Sequence, residues 1–497
     1  MFNVVVNKDI GRIIVKTDDS SVKYMFETLV YEDIFTKSGK RTIAKQVKIY
    51  DNTKDFRNSE GNFVFIFNYG WASYILQVFK GYMSKEDYDS LVHLILSDNY
   101  RTIPFPGLRD YQNEDILHVL KYNQSLISCY TSYGKTQVIA TLAEYFYSLG
   151  KSIMIVAPGK KANEEICKRV KALFGISVPT PDLRMNNIIT SGLLTRKDVK
   201  DPEKLKDLEA LWAGYDVILC DEVEYCVNSD SGQFLFDRFI GAEKRYAFSG
   251  TADKKNAEMI TFRDGLSENV IRNRYLVKYF GPSTVFRLPT AMRVNLIKIK
   301  TPAFANVKFD KSDFEKNIYL NVITKLFTDP MICDIMVRVL SKFPKTYIPM
   351  NNLQNIISEW IDNYFIGKFR VLLICAEGYI YYDLDGSRRK LKDLSEACEY
   401  VKDNRVDVIP STSAGFRALD LPGLENVLLL TGKIAGVVLQ SIGRAGRGTT
   451  MNIIGLDSIS KMRIPVYSKG MEERDELIKS YYKYCEIVES DIYDINL

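Results

Sequence analysis

The stretch SLISCYTSYGKTQVIATLAEYF, residues 125–146, decides the fold. An apolar, strand-like run leads into Thr131, Ser132, Tyr133, Gly134, Lys135 and Thr136, and a long helical pattern follows. Strand, loop and helix in that order make a phosphate-binding loop. A polyphosphate needs backbone N–H groups at a helix N-terminus, a lysine to reach its outer phosphates and a hydroxyl to hold Mg²⁺. Gly134, Lys135 and Thr136 fill those roles, with Thr131 and Ser132 in the loop ahead of them. The eight-residue form of this loop begins with glycine, and Cys129 stands at the matching position.

Outward from the loop the same rhythm continues. From Leu108 onward helical stretches alternate with short apolar strands: LISCY, SIMIVAP at 152–158, DVILCDE at 216–222 and RYAFSGT at 245–251. That alternation predicts a parallel sheet with helices on both faces. It repeats after about Arg287, with helices through Trp360 and then the strands FRVLLICA (369–376), RVDVIPST (405–412) and NVLLLTG (426–432), ending in LQSIGRAGRG (439–448). A second α/β lobe follows. The first hundred residues read as short strands, FNVVV, RIIVKT, KQVKIY and FVFIF, then a helix from Glu86 to Leu96. The Pro/Gly break RTIPFPG at 101–107 closes them off.

The expected architecture is therefore α/β, with two tandem parallel-sheet lobes behind a small N-terminal α+β accessory domain. The boundaries fall at 1–100, 101–286, 287–460 and 461–497, the last read as a closing helical tail. A chain of 497 residues supports this division, because it is too long for one core at roughly 150 residues per domain.

Composition narrows the function classes. Hydrophobic residues make up 46% and charged residues 26%, a globular balance. The net charge of +5 permits a nucleic-acid partner without requiring one. Eight cysteines without a CxxC pair read as reduced core residues. Only His93 and His118 are present, so a zinc centre or a histidine-dependent triad has almost nothing to be built from; both read as structural residues in apolar helical runs. The N-terminus MFNVVVNKDIGR has no basic start with a long apolar core, and the aromatic stretch 63–79 is interrupted by Asn68, Gly70 and Gln77. No secretion signal or membrane span is expected, and a cytoplasmic location follows, in a host cytoplasm if the gene is viral.

Two further clusters carry chemistry. In DVILCDEVEY, 216–225, an apolar run delivers Asp221 and Glu222 to a strand end. Hydrolysis of Mg·ATP requires such a pair: Asp221 to hold Mg²⁺ and Glu222 to orient and deprotonate the attacking water. In LQSIGRAGRG, Arg444 and Arg447 lie three apart after Gln440. Charge developing on a transferring phosphoryl group needs a cation, and an arginine inserted from a neighbouring lobe supplies one. Taken singly, the acidic pair could be a solvated turn and the arginines a basic helix turn. Taken jointly with the loop, they occur in the order that two lobes sharing one ATP would need.

With these residues in hand, the chain resembles the superfamily 2 helicases, and within them the UvsW-like DNA helicases of large bacteriophages, over residues 101–455. LRDYQ resembles the adenine-side element, which implies that Gln112 reads the base with Arg109 nearby. TSYGKT is similar to the first motif and VAPGK around Pro158 to the next; ITSGLL around Thr190 and Ser191 is implied to touch the nucleic-acid backbone. DEVE resembles the second motif. Ser249, Gly250, Thr251 and Ala252 resemble the third, which couples hydrolysis to lobe movement. In the second lobe RVLLICA, STSAGFRALDLPGL around Gly415 and Asp420, and QSIGRAGR resemble the fourth, fifth and sixth. The chain departs from the family pattern at Cys129, at Glu224 where His or Asp closes the box, at Ser441 where Arg is common, and at Phe416, Arg417 and Ala418.

The resemblance implies ATP and Mg²⁺ as cofactors and forked or branched DNA as partner, with replication, recombination or repair as setting. An RNA helicase, a duplex translocase that leaves strands paired, and an ATP-gated binding protein without turnover are the other readings. Motors of this type grip phosphates and tolerate any sequence. Lys37, Lys40, Arg41, Lys45 and Lys48, with no acidic residue among them, are candidate DNA contacts, while the neighbouring Phe63, Phe65 and Phe67 read as an ordinary aromatic core. Arg388, Arg389, Lys390 and Lys392 line a channel or face solvent. Loop and arginines belong to one chain, so a monomer suffices.

Overall fold

In a computed structural model of the chain, the described residues are 2–8, 11–28, 30–38, 41–48, 61–130, 133–157, 160–175, 183–187, 197–227, 230–250, 257–261, 267–271, 274–281, 284–287, 293–310, 318–350, 356–412, 421, 423–430, 450–458, 465–482 and 484–491. They fall into two compact units, residues 1–129 with 133–287 and residues 288–497 with 130–132.

The first unit begins with β1 (Phe2–Asn7), β2 (Arg12–Thr17), α1 (Ser20–Thr28), β3 (Val30–Ser38), β4 (Arg41–Lys48), β5 (Phe63–Asn68), α2 (Ala72–Phe79) and α3 (Lys85–Ile95). Strands β1, β2 and β5 form an antiparallel sheet in that order. Side chains alternate across its faces, so Ile13, Val15 and Thr17 turn inward from β2 and Phe65 and Phe67 from β5. Phe65 and Phe67 are thus core residues, as expected of the three phenylalanines, while Phe63 is half-buried. Strands β3 and β4 form a separate hairpin whose register sets Lys37 opposite Thr42 and Asp33 opposite Lys45.

This sheet is not a free-standing module. Its core of Val4, Ile13, Phe65, Trp71 and Phe79 also takes in Tyr122 and Val277 from later in the chain. Gly70 lies so close to the helix that follows residue 273 that an added Cβ would fall 1.8 Å from the Val277 carbonyl oxygen. The accessory domain and the first lobe therefore share one hydrophobic interior.

The rest of the first unit is α4 (Asp110–Val119), β6 (Gln124–Cys129), α5 (Lys135–Ser148), β7 (Ile153–Ala157), α6 (Lys160–Phe174), β8 (Leu183–Asn187), α7 (Pro202–Ala213), β9 (Val217–Cys220), α8 (Val223–Val227), α9 (Asp230–Phe236), β10 (Lys244–Ser249), β11 (Ala257–Thr261), β12 (Ser267–Ile271), α10 (Arg274–Phe280) and β13 (Thr284–Arg287). Six strands in the order β13-β6-β10-β9-β7-β8 form one sheet, parallel throughout. β6 and β9 are buried along their whole length, which explains the unbroken apolar sequence VILC of β9, while β6 carries Gln124, Ser125 and Ser128 into the interior. Asp201 caps α7, its carboxylate accepting from the Glu203 N–H at 3.1 Å, and Pro202 occupies the first turn where no N–H is needed.

The second unit contains β14 (Arg293–Thr301), α11 (Ile318–Thr328), α12 (Pro330–Lys342), β15 (Thr346–Pro349), β16 (Val371–Cys375), β17 (Gly378–Tyr382), β18 (Arg388–Leu391), α13 (Leu394–Lys402), β19 (Val408–Ser411), β20 (Asn426–Leu428), β21 (Thr450–Ser458), α14 (Pro465–Tyr481) and β22 (Tyr484–Asp491). Its sheet runs β18-β17-β16-β19-β15-β20-β21-β14-β22 and is parallel from β16 to β22. Along β16, Val371 and Leu373 pack into one apolar cluster and Leu372 and Ile374 into the other, so both faces are covered. The α/β class expected from the sequence holds in both units.

Two expectations need correction here. The C-terminal segment is not only helical: after α14 the chain forms β22, which pairs in parallel with β14. The Glu- and Asp-bearing run YCEIVESD hides its strand character, because five of its eight side chains are exposed and none is buried, so it is backbone pairing along an edge and not an apolar face that makes it a strand. His93 is exposed rather than enclosed, its ring 3.1 Å from the Asp98 carboxylate.

The basic run 388–392 occupies the edge strand β18, with Arg388, Arg389 and Lys390 exposed and Leu391 buried. Arg389 pairs with Glu396 at 2.7 Å, so part of this charge is neutralised locally.

Buried charge tightens the second unit. Arg474 on α14 is 1% exposed, with its Nε donating to Asp475 at 2.8 Å and Nη1 to the Leu429 carbonyl at 3.3 Å. Lys298 of β14 closes on the other Asp475 oxygen at 2.5 Å. Gly455 leaves room for the guanidinium, since a Cβ there would come within 2.4 Å of Nη1. Breaking a buried network by removing one member costs about 3–5 kcal/mol. Arg474→Ala is expected to lower the unfolding free energy by about 3 kcal/mol in urea titration, near the bottom of that range because Lys298 still neutralises Asp475.

Candidate active site

Parallel strands present their C-terminal ends along one edge of a sheet, where ligands bind in such folds. Register places Ser249 beside Ser128, Arg287 beside Cys129, and Cys220 beside both Ala247 and Val156. The residues following β6, β9 and β10, and the end of β13, therefore share that edge.

β6 ends at Cys129 and α5 begins at Lys135. Gly134, the N-cap, has φ 94° and ψ 35°, a left-handed conformation that glycine adopts without a Cβ clash. Its missing Cβ also matters for space, because the Gln112 Nε2 would lie 2.7 Å from it. The first N–H groups of α5 have no intrahelical acceptor and aim at the sheet edge as an anion site.

β6 and β9 are not neighbours; β10 lies between them, so about 10 Å separates the two strands. The Lys135 and Glu222 side chains meet between them, with Lys135 Nζ 2.6 Å from Glu222 Oε1. Lys135 is 12% exposed and Glu222 22%. Burial by itself would push the ammonium toward its neutral form; Glu222 and then Asp221 outweigh burial and hold its pKa above the ordinary lysine value. The loop predicted from residues 125–146 and the acidic pair predicted from residues 216–225 are thus brought together.

Glu222 has φ 45°, one of three described non-glycine residues in the left-handed region. Backbone held there costs on the order of 1–3 kcal/mol and persists where the surroundings enforce it, as at functional sites. Its Oε2 is buried and makes no hydrogen bond among the described residues. Asp221 is 7% exposed, anchored by its N–H to the Val156 carbonyl at 2.8 Å.

Glu224, where the family pattern has His or Asp, reaches the third motif: the Ser249 hydroxyl donates to Glu224 Oε1. This bond links the acidic segment after β9 to the end of β10. Gly250 is buried at the end of this strand.

The element around Gln112 is tied to the loop by its side chain. The Arg109 N–H donates to Gln112 Oε1 at 2.9 Å, and Gln112 Nε2 donates to the Tyr133 carbonyl at 2.8 Å. Arg109 turns to the Tyr111 hydroxyl at 2.6 Å.

Sequence reading missed three residues here. Tyr133 is completely buried and donates its hydroxyl to Asp115 Oδ2 at 3.0 Å. Arg287 grips the same carboxylate with two bonds, Nε to Oδ2 at 3.0 Å and Nη2 to Oδ1 at 2.6 Å. Asp115 lies three positions after Gln112 and so on the same helical face, which was the available signal. Nothing in the local sequence marks Arg287.

Several predicted site residues lie outside the described residues: Thr131, Ser132, Pro158, Thr190, Ser191, Thr251, Gly415, Asp420, Gln440, Arg444, Arg447 and Lys40. Lys37 lies on β3 and Arg41, Lys45 and Lys48 on β4, and only their backbone is described. None of the eight cysteines forms a disulfide, and Cys129, Cys220, Cys226 and Cys333 are buried.

No family model matches the chain, and no curated protein matches it. Among solved structures, the chain is similar at low identity to several nucleic-acid-related proteins. The crystal structure of T4 UvsW is similar over 99% of both chains, at 14% identity and a TM-score of 0.37. Dbp5 of S. cerevisiae, bound to RNA and ADP BeF3, is similar over 78% of this chain and 90% of its own, at 12% identity and a TM-score of 0.47. The Mycobacterium smegmatis helicase Lhr, bound to single-stranded DNA and AMP-PNP, is similar over 76% of this chain and 48% of its own, at 13% identity and a TM-score of 0.41. All are distant likenesses, and the chemistry of the site stands on its own residues. Among the described residues no helix is long and apolar enough to cross a membrane.

Proposed function

We propose that the chain is an ATP-hydrolysing nucleic-acid motor of the superfamily 2 helicase type, acting on forked or branched DNA. One observation carries the reading: the Lys135 ammonium, at the N-terminus of α5, is held against Glu222 at the end of the acidic strand. An ammonium and helix N–H groups bind phosphate, and a carboxylate beside them serves as base for water. On ATP binding, Lys135 exchanges part of its contact with Glu222 for the phosphates, which frees the carboxylate to orient the nucleophile. Mg²⁺ fits the donor set, because a buried Glu222 oxygen makes no hydrogen bond among the described residues and the Asp221 carboxylate is adjacent in sequence. Thr136 and Asp221 would hold it directly or through water, and the ion would supply charge neutralisation on the phosphates.

Ser249 and Gly250, linked to the second motif through Glu224, act in coupling. Arg444 and Arg447 act as the second unit's cations toward the transferring phosphoryl group, and Gln440, Gly415 and Asp420 as its further nucleotide contacts. Arg109 and Gln112 serve the adenine side, and Lys37, Lys40, Arg41, Lys45 and Lys48 the DNA backbone. DNA rather than RNA follows from the sequence resemblance to the phage helicases.

Phosphate release is the test, with forked DNA, four-way DNA, blunt duplex and RNA as stimulators. Glu222→Gln is expected to retain ATP binding while turnover falls roughly a thousandfold, since the base is lost and the shape kept. Stimulation by RNA alone overturns the DNA assignment, and full turnover in Glu222→Gln overturns the site.

A further inference from the structure

Arg287 is the last residue of the first unit, and Leu288 begins the second. At that crossing the arginine is not loose: it forms a two-bond ion pair with Asp115, whose side chain is 5% exposed, and adds a contact to Glu114 at 2.9 Å. The bidentate form fixes both distance and orientation. Asp115 in turn accepts the hydroxyl of Tyr133, the residue immediately before Gly134 and Lys135. Tyr133 also carries the carbonyl that accepts from Gln112. One carboxylate thus joins three things: the helix of the adenine-side element, the phosphate loop and the strand end from which the chain leaves the unit.

We propose that Asp115 is a positioning residue which, through Tyr133, locks the phosphate loop to Arg287, so that the loop and the crossing point move as one element. A buried Tyr in a phosphate loop needs an acceptor for its hydroxyl, and Asp115 provides it; the same carboxylate needs a cation, and Arg287 provides that. Displacement of Arg287 by movement beyond residue 287 would remove the two bonds that hold the Asp115 carboxylate in place under the Tyr133 hydroxyl, and so would loosen the loop. The arrangement is a mechanical route between the nucleotide and the linker that none of the superfamily motifs quoted above contains.

The proposal rests on the ATP-motor reading, and the measurements separate the two. ATP affinity is measured by calorimetry, and KM and kcat by phosphate release, for wild type, Tyr133→Phe, Asp115→Asn, Arg287→Gln, Arg287→Lys and the double variant Tyr133→Phe/Asp115→Asn. Tyr133→Phe and Asp115→Asn are each expected to weaken ATP binding and raise KM about tenfold, with kcat moved less than about threefold. The double variant is expected to be no worse than Asp115→Asn, because both act through one carboxylate. Arg287→Lys is expected to recover part of what Arg287→Gln loses, since it keeps the charge and one contact.

Arg474→Ala, destabilised at a site in the other unit, is the control for stability alone. If its KM rises as much as that of Tyr133→Phe at equal loss of thermal midpoint, the positioning role is wrong. Additive effects of Tyr133→Phe and Asp115→Asn, or an unchanged KM in Tyr133→Phe, also overturn it. A wild-type protein that binds ATP without turnover sinks the motor reading and leaves the affinity test of the network in force; one that does not bind ATP overturns both.

Discussion

Lys135→Ala is expected to reduce ATP turnover at least about a thousandfold, the scale seen when one preorganised donor to a developing charge is removed. Two losses combine. The γ-phosphate forfeits its cation, and Glu222 loses the ammonium that now lies 2.6 Å from it. Lys135→Arg is not a rescue, because a planar guanidinium does not fit the place of a point charge. Phosphate release with saturating nucleic acid measures the effect, and turnover within tenfold of wild type in Lys135→Ala would mean that ATP is handled elsewhere. The charge of Lys135 is held above its ordinary pKa by Glu222 and Asp221 against the opposing effect of burial, so no loss of this ammonium is expected anywhere in the neutral range.

The second large effect is on stability. Gly70→Ala is expected to destabilise the first unit by about 3 kcal/mol or more, at the upper end for overpacking, because the new Cβ meets backbone and not a side chain that can turn away. It would lie 1.8 Å from the Val277 oxygen and 2.7 Å from the Lys278 oxygen. Gly81→Ala, where nothing lies within 4 Å, is the matched control and is expected to change stability by less than about 0.5 kcal/mol. Urea unfolding of the two variants makes the comparison. Because Trp71, Tyr122 and Val277 pack in one cluster, Gly70→Ala is expected to weaken the N-terminal sheet and the parallel sheet together in one transition. Two separate transitions, with only the first shifted, would show that the accessory sheet folds independently.

Local pattern made much of this chain legible. A short strand-like run leading into Gly134, Lys135 and Thr136 can be read without a fold, because the loop's chemistry depends on consecutive backbone N–H groups and two adjacent side chains. Asp221 and Glu222 at the end of VILC are legible for the same reason. The aromatic run of β5 was legible as core, and the fully covered β16 read as a continuous apolar run, while which side chains of β2 and β5 turn inward came from the structure. Where an element's partner is distant in sequence the pattern was silent: β22 carries an acidic, half-exposed sequence and is a strand only because β14 lies alongside.

What the sequence determined by itself is the set of candidate groups, since each is a short contiguous word whose chemistry lies in its own residue types. Tertiary structure alone decided which words meet. It set β10 between the loop strand and the acidic strand, with Lys135 and Glu222 meeting between them, and it put Glu224 in contact with Ser249. It also brought Arg287 to Asp115 across 172 positions and Gly70 to Val277 across the first unit. The physical reason is that an ion pair or a close backbone approach depends on distances in space, and a folded chain fixes those through packing that no local window contains.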